Sequence, residues 1–363
     1  MLAELCDKGS SSLAQKDLLF DSGIYPVYGA AGEITKVDFF HQSKPYLGLI
    51  KDGAGVGRVM KLPANSSVIG TIQYLFPREN VDLKYLYYLI KYLDLGKSNT
   101  GATIPHIYFK DYKKRKVKVR DYSEQKHIGQ ILELIDSHLS TYKNILDQYD
   151  LLIKSRFVEM FGNPIINDKK YPIFKLKDIS QKIGSGFTPR GGDSNYIEEG
   201  IAFIRSMNIY NNTFKKENLA YIDEFLANQL SQVELFSGDL LLNITGASVA
   251  RCCTVPDNIL PARVNQHVCI IRQCRISNVF LEYCLTNESY QEYLLLLSNK
   301  NGATREALTK SQVENLEVIF PPLLEIARFE KIVEQINKLK SDVQKSIDET
   351  QLLMDSLMQE YFG

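Results

Sequence analysis

The chain has 363 residues, 43 basic and 43 acidic side chains and a formal charge of zero, with 44% hydrophobic and 24% charged residues. These are the proportions of a globular protein with room for two or three cored domains. No apolar run approaches the ~20 residues that span a bilayer. Met1–Lys8 carries an early acid, Glu4, and no long apolar core, so the sequence reads as cytoplasmic rather than secreted.

Residues 1–120 are expected to form a first globular domain. Strand-type runs lie at Tyr46–Lys51 and Val68–Phe76, and Leu83–Leu93 reads as a helix. This part holds 18 basic and 11 acidic side chains, a balance that suits a polyanion. Near its end, Lys110–Arg120 is strongly basic and alternates with aromatic and β-branched residues. It reads either as a strand with a phosphate-facing edge or as a solvated strand and hinge.

Residues 121–162 read as a first spacer helix. Ile128, Leu132, Ile135, Leu139, Tyr142, Leu146, Tyr149, Ile153 and Met160 recur at four-three spacing, with Arg156 the one interruption. A seven-residue repeat held that long predicts a coiled-coil seam, on a helix of about 55 Å. Phe161-Gly162-Asn163-Pro164 supplies its stop, with Gly as the cap and Pro just beyond.

Residues 163–320 read as a second globular domain. Its strands are expected at Ala202–Ile204, Asp239–Ile244 and Val268–Arg272, and its helices at Glu224–Leu230 and Val279–Leu297. Cys252, Cys253, Cys269, Cys274 and Cys284 lie here without a Cys-x-x-Cys pair and without a His at zinc spacing. Free buried thiols are expected, and no metal site. Pro321-Pro322 then opens residues 321–363, a second spacer helix. Phe329, Val333, Ile336, Val343, Ile347, Met354, Leu357 and Tyr361 line its seam, with Lys340 and Thr350 as polar exceptions.

The chain is written twice. Gly101-Ala102-Thr103 recurs as Gly302-Ala303-Thr304, and Phe161-Gly162 as Phe362-Gly363, both at an offset of 201. Upstream, Gly53-Ala54-Gly55-Val56-Gly57-Arg58 answers Gly246-Ala247-Ser248-Val249-Ala250-Arg251 at an offset of 193, and Gln73 answers Gln266. The expected fold is therefore α+β: two strand-rich globular domains joined by two long antiparallel coiled-coil helices, with an internal pseudo-two-fold repeat. The alternative is two amphipathic helices, each packed on its own domain. Helices this long overhang a single domain, which favours pairing. Two-fold proteins suit two-fold ligands, duplex DNA the commonest of them.

Enzyme signals are absent from the pattern. Asp52-Gly53-Ala54-Gly55-Val56-Gly57 is not G-x-G-x-x-G and no amphipathic helix follows it, and no Walker A sequence occurs. No Gly-x-Ser-x-Gly elbow and no His-Glu-x-x-His appear, and His41, His106, His127, His138 and His267 do not cluster. DNA-type chemistry fits better. Lys97–Thr103 and Ser298–Arg305 are matched polar loops hinged on Gly, and Gly184–Gly192 is a third. Asn, Gln, Arg and Lys bond base edges, and small polar neighbours let backbone approach phosphates.

Several of these segments resemble parts of one family. Tyr25-Pro26-Val27-Tyr28-Gly29-Ala30 and Gly184-Ser185-Gly186-Phe187-Thr188-Pro189, with Gly200–Arg205 downstream, resemble the openings of two target-recognition-domain classes. Asn265-Gln266-His267 before Val268–Ile271 resembles a central strand, and Phe320-Pro321-Pro322-Leu323-Leu324-Glu325 an entry to a spacer helix. In this order, doubled, they are similar to a DNA-specificity subunit of a type I restriction–modification system, over essentially the whole chain. One departure is the entry to the first helix, which lacks the double proline.

The resemblance implies two target-recognition domains, each reading one half of a split site in double-stranded DNA, and antiparallel helices that set the spacing. It implies partners: two modification subunits that methylate a flipped-out adenine, which restriction subunits that translocate and cleave can join, the sequence leaving open whether they are present. S-adenosylmethionine, ATP and Mg belong to those partners, and this chain is expected to hold no cofactor and no catalytic residue. Residue type and loop position then nominate Lys97, Asn99, Thr188, Arg190, Arg205, Arg251, Asn265, Gln266, Asn301 and Arg305 as DNA contacts. Two rival readings are a coiled-coil protein-interaction module without DNA binding, and a nuclease or methyltransferase fragment active by itself. If the helices set the spacing, four residues inserted after Leu146 and matched near Ile347 add about 6 Å of helix. The gap in the methylated motif is expected to lengthen, and an unchanged gap would sink the idea.

Overall fold

Tyr46-Leu47-Gly48-Leu49-Ile50 is apolar or glycine throughout, which suits a strand covered on both faces. In the computed structural model, which describes residues 1–18, 23–98, 105–272, 274–299 and 306–363, all five residues are buried. The chain divides into two units, Met1–Ile145 with Asp342–Gly363, and Leu146–Ser341.

Unit 1 contains β1 (Cys6–Gly9), β2 (Tyr25–Gly29), β3 (Gly32–Val37), β4 (Tyr46–Ile50), β5 (Val59–Leu62), β6 (Ser67–Val68) and β7 (Ile72–Pro77). It also contains α1 (Leu83–Leu93), α2 (Phe109–Tyr112) and the first part of α3 (Tyr122–Phe161). An antiparallel sheet runs β1-β7-β4-β5, and a mixed sheet runs β3-β2-β6, with β2 antiparallel to β3 and parallel to β6. The pleat sends Leu47 and Leu49 of β4 toward Tyr85, Leu86 and Leu89 of α1. Tyr46 and Ile50 point the other way, to Val68, Ile72 and Tyr74.

Unit 2 contains β8 (Ile173–Lys175), β9 (Lys182–Ser185), β10 (Ile201–Ile204), β11 (Ile209–Tyr210), β12 (Thr213–Phe214) and β13 (Ala220–Ile222). Next come β14 (Leu240–Asn243), β15 (Cys252–Thr254), β16 (Ala262–Val264), β17 (Val268–Arg272) and β18 (Glu317–Ile319). Its helices are α4 (Leu176–Ile179), α5 (Glu224–Gln229), α6 (Asn278–Leu285), α7 (Glu288–Asn299), α8 (Lys310–Glu314) and the first part of α9 (Leu323–Phe362). The sheet β15-β14-β17-β9 repeats the alternation of unit 1. Leu240 and Leu242 join the core under α6. Leu241 joins the opposite core, with Phe203, Val264 and Ile270.

The internal repeat is visible in individual backbone hydrogen bonds. The Gly57 amide donates to Ile50 at 2.8 Å, and that of Ala250 to Asn243 at 2.9 Å. Ile50 donates to Arg58 at 2.9 Å, and Asn243 to Arg251 at 2.8 Å. Gly53 donates to Pro105 at 3.0 Å, and Gly246 to Glu306 at 2.9 Å. Gly57 sits at φ +87° and Ala250 at φ +73°, so the second copy holds a non-glycine in the left-handed region. One sequence match does not survive. Ile50 pairs with Ile72 and its counterpart Asn243 with Val268, so Gln73 corresponds to Cys269 and not to Gln266.

The long helices pack on each other, and each unit takes part of both. In unit 1, Ile128, Leu132 and Ile135 of α3 share a core with Met354, Met358 and Phe362 of α9 and with α1. In unit 2, Ile153, Phe157 and Phe161 of α3 meet Phe329, Val333 and Ile336 of α9 beneath Phe280. The start of one helix thus lies beside the end of the other, an antiparallel arrangement. Leu139 is buried, Leu357 is half-buried against the unit 1 core, and Leu146, Val343 and Ile347 are half-buried. In unit 2 Lys340 bonds Asp150 at 2.6 Å, which accounts for a polar residue at a seam position. Pairing and packing on a domain are therefore not alternatives here.

Three local expectations change. Lys110–Arg120 forms no strand: Phe109–Tyr112 is a helical turn, because Tyr112 is drawn into the core, where its hydroxyl bonds Gln73. Val68–Phe76 is split between β6 and β7 by a turn in which Ile72 donates to Ile69. Val279–Leu297 divides at Thr286-Asn287, where the Thr286 hydroxyl bonds Glu282 and the Asn287 side chain caps Ser289. At the entry to α3, the Asp121 side chain caps Glu124 at 2.8 Å. Buried Gln125 there accepts from Asp82 at 3.0 Å and donates to Arg120 at 2.8 Å, doing the anchoring that Pro321-Pro322 does for α9.

Gly129 marks a close approach between α3 and the start of α1. A Cβ there would lie 2.9 Å from Asp82 Oδ1 and from the Tyr85 amide. Alanine favours a helix by about 1 kcal/mol over glycine, but overpacking against backbone costs about 1–3 kcal/mol. Gly129→Ala is expected to destabilise unit 1 in urea unfolding. An equal or higher midpoint would show that the helices have room to part.

Candidate nucleic-acid interface

In unit 2 the loop after β14 carries the matched segment Gly246–Arg251. It is clipped from one side by Glu306-Ala307, which bridge back to Gly246 and Thr245. From the other side comes the hairpin β11–β12. Buried Asn208 closes that hairpin, its side chain donating to Lys215 at 3.0 Å and Glu217 at 3.3 Å. Buried Asn243 ties the hairpin to β14 by donating to Ser206 at 2.9 Å. Between these walls lies an open groove of about 540 Å³, lined by Tyr210, Thr245, Arg251, His267 and Glu306 among others. The Arg251 guanidinium lies 4.4 Å from the centre of the Tyr210 ring, and Lys215 Nζ 4.2 Å from it. His267 Nδ1 and Thr245 Oγ1 are 2.6 Å apart.

The sequence-nominated residues divide by what already holds them. Arg251 lines this groove. Gln266 is exposed beside it, its amide donating to Thr188 Oγ1 at 3.3 Å. Asn265 is buried, and its Oδ1 accepts from the His267 amide at 3.1 Å, so it acts on the groove through the backbone. Arg205 donates to Asn218 at 2.6 Å and lies over Tyr196, which leaves it committed within the fold. Arg190 is exposed, in a turn where its carbonyl accepts from Asn195. In unit 1, Lys97 is exposed and 3.0 Å from Asp94. Asn99, Asn301 and Arg305 lie outside the described residues, as do the repeated Gly-Ala-Thr segments.

Unit 1 has the corresponding loop, differently furnished. Asp52 bonds His106, the partner strand residue that matches Ala307. His106 packs against Tyr108 with ring centres 4.0 Å apart and planes tilted by 53°, and Lys110 lies 5.1 Å over Tyr108. Arg58, the counterpart of Arg251, donates to the Ala30 carbonyl at the β2–β3 turn. In both units the matched arginine reaches a hairpin. Sequence reasoning passed over Tyr210, Lys215, Tyr108 and Arg58. The repeat offset pointed to Arg58, whereas the hairpin residues lie far from the loop in the chain.

Among the described residues no three His, Cys, Asp or Glu side chains are grouped to hold a metal ion, and no helix is long and apolar enough to cross a membrane. The six cysteines are unpaired, and burial pushes the Cys269 and Cys284 thiols up to about 12, so they stay protonated.

Behind the groove, Glu282 of α6 is buried and accepts from the Thr254 amide at 2.9 Å and from Asn212 at 3.2 Å. It thereby ties the hairpin to β15. Burial raises its carboxyl above the ordinary 4.5, against the pull of those hydrogen bonds. With the folded pKa raised, its contribution to stability is full below pH 4.5 and is lost as pH rises through the folded value. Glu282→Gln is expected to flatten stability against pH above 4.5, since glutamine has no carboxyl to titrate there. An unchanged slope in urea titrations across that range would refute this.

Comparison with known proteins agrees with this organisation. The family described as the type I restriction modification DNA specificity domain matches residues 1–151 and 168–351. The chain is 23% identical over 328 residues to the type I restriction enzyme MjaVIII specificity subunit of Methanocaldococcus jannaschii, covering 81% of this chain and 76% of that one. It is 22% identical over 306 residues to the MjaIX specificity subunit of the same organism, covering 78% and 69%. The crystal structure of a type I restriction–modification S subunit from M. genitalium superposes with a TM-score of 0.62 at 16% identity, over 100% of this chain and 95% of that one. That last likeness is one of fold.

Proposed function

This chain belongs to the type I restriction–modification DNA specificity family, and from that premise we propose that each unit reads one half of a split site in duplex DNA. As a specificity subunit of a type I system it is non-catalytic and has no cofactor of its own; the activities reside in its partner subunits. Residues 1–120 and 163–320 serve as target-recognition domains, and residues 121–162 and 321–363 as spacer helices. The partners are two modification subunits, which use S-adenosylmethionine to methylate adenine; where restriction subunits join them, these use ATP and Mg.

The observation that carries this reading is the doubled loop. Each unit closes the same backbone hydrogen bonds after its central strand, and in each a matched arginine, Arg58 or Arg251, reaches a hairpin. The side chains around the two loops differ, as two different half-sites require. The DNA-contact set is Lys97, Asn99, Thr188, Arg190, Arg205, Arg251, Asn265, Gln266, Asn301 and Arg305, with Arg205 and Asn265 acting by positioning their neighbours. Mapping methylated adenines across the host genome, with and without this gene, tests the reading. A split motif that vanishes on deletion is expected. Identical maps, with the chain expressed, would favour the coiled-coil interaction module instead.

A further inference from the structure

We propose that the unit 2 groove and its rim divide their work: Arg251 in the groove, and Lys215 on the Tyr210 ring that walls it, hold the phosphate backbone, while His267 and Glu306 face the bases. The proposal rests on the reading of this groove as a half-site reader. Its ground is the set of commitments that the cations of unit 2 have already made. Arg263 pairs with Glu234 at 3.2 Å, Arg272 with Asp239 at 2.6 Å, and Lys182 donates to Gln232 at 2.6 Å. Lys215 and Arg251 have no carboxylate partner among the described residues, yet both are held within 4.4 Å of one ring centre.

Two like charges sharing one aromatic ring repel each other. Each gains from the ring quadrupole, and the phosphodiesters along a duplex are the anions that supply both with the counter-charge they lack. The site is rigid before any ligand arrives, because Asn208 and Asn243, both fully buried, fix the hairpin that carries Tyr210 and Lys215. A preformed pair of cations suits a contact that recurs at every nucleotide, whatever the base.

The other residues of the groove have opposite chemistry. Glu306 is acceptor-only when ionised and repels phosphate. Its backbone carbonyl is fixed by the Gly246 amide at 2.9 Å, which holds the residue at the groove. A carboxylate there takes the exocyclic amine of cytosine or adenine. His267 has Nδ1 engaged with Thr245, which leaves Nε2 for a base edge.

The test is duplex binding by the full chain as a function of salt, with the mapped half-site and single-base variants of it. For Arg251→Ala and Lys215→Ala, affinity is expected to fall by one common factor for every sequence, and the slope of log K against log salt by about 1 each. Arg251→Lys should keep the slope. For His267→Ala and Glu306→Gln the slope should stay, while discrimination at one base pair falls about 5- to 150-fold. Retained selection of the other half-site shows in each case that the variant is folded. The division of labour is overturned if Arg251→Ala relaxes base preference and leaves the slope alone. Wild-type protein without salt-dependent binding would overturn the half-site reading as well.

Discussion

The loop after the central strand of each unit is closed by the same backbone hydrogen bonds, and the exposed chemistry of the unit is arranged around that closure. β4 and β14 are buried on both faces, so neither strand can present a side chain to a ligand. What they present is their end. Gly57 and Ala250 fold the chain back onto Ile50 and Asn243, and residues after Pro105 and Glu306 bridge to the far side of the loop. Each such bond adds only about 0.5–1.5 kcal/mol net. Leaving the buried groups unpaired would cost more, which is why the geometry recurs where the sequence does not. Ala250 accepts a left-handed backbone that Gly57 adopts without strain.

The second constraint is that neither unit owns its helices outright. Phe161, Phe280 and Phe329 form one aromatic cluster in unit 2, and Tyr85, Tyr92 and Phe362 form another in unit 1. The first draws on α6 and both long helices, and the second joins α1 to the end of α9, in a core that α3 shares through Ile128, Leu132 and Ile135. Loss of one helix end would therefore open a domain core as well as a helix pair.

Much of this was legible in the chain. Leu83–Leu93 reads as a helix and is one, because its apolar stripe and its Asp82 cap agree. The heptads spell out two 40-residue helices, and the double proline marks the start of the second. Lys110–Arg120 misled, because alternation on the page gave way to the burial of Tyr112 against Gln73. The match of Gln73 with Gln266 misled as well. The loops between β4 and β7 and between β14 and β17 differ in length, and only strand pairing sets the register.

Sequence alone determined the doubling, the two long helices with their apolar seams, the strand-rich α+β class and the absence of catalytic motifs, because each is written in periodicity or in repeated local patterns. Tertiary structure alone decided which polar side chains stand together. Tyr210, Lys215, Arg251, His267 and Glu306 come from four separate segments, and no local spacing relates them. It also decided which cations are already engaged, since Arg205, Arg263 and Arg272 look as available as Arg251 in the linear chain. The physical reason is that hydrogen bonds and ring contacts depend on distance in space, and folding alone sets that distance.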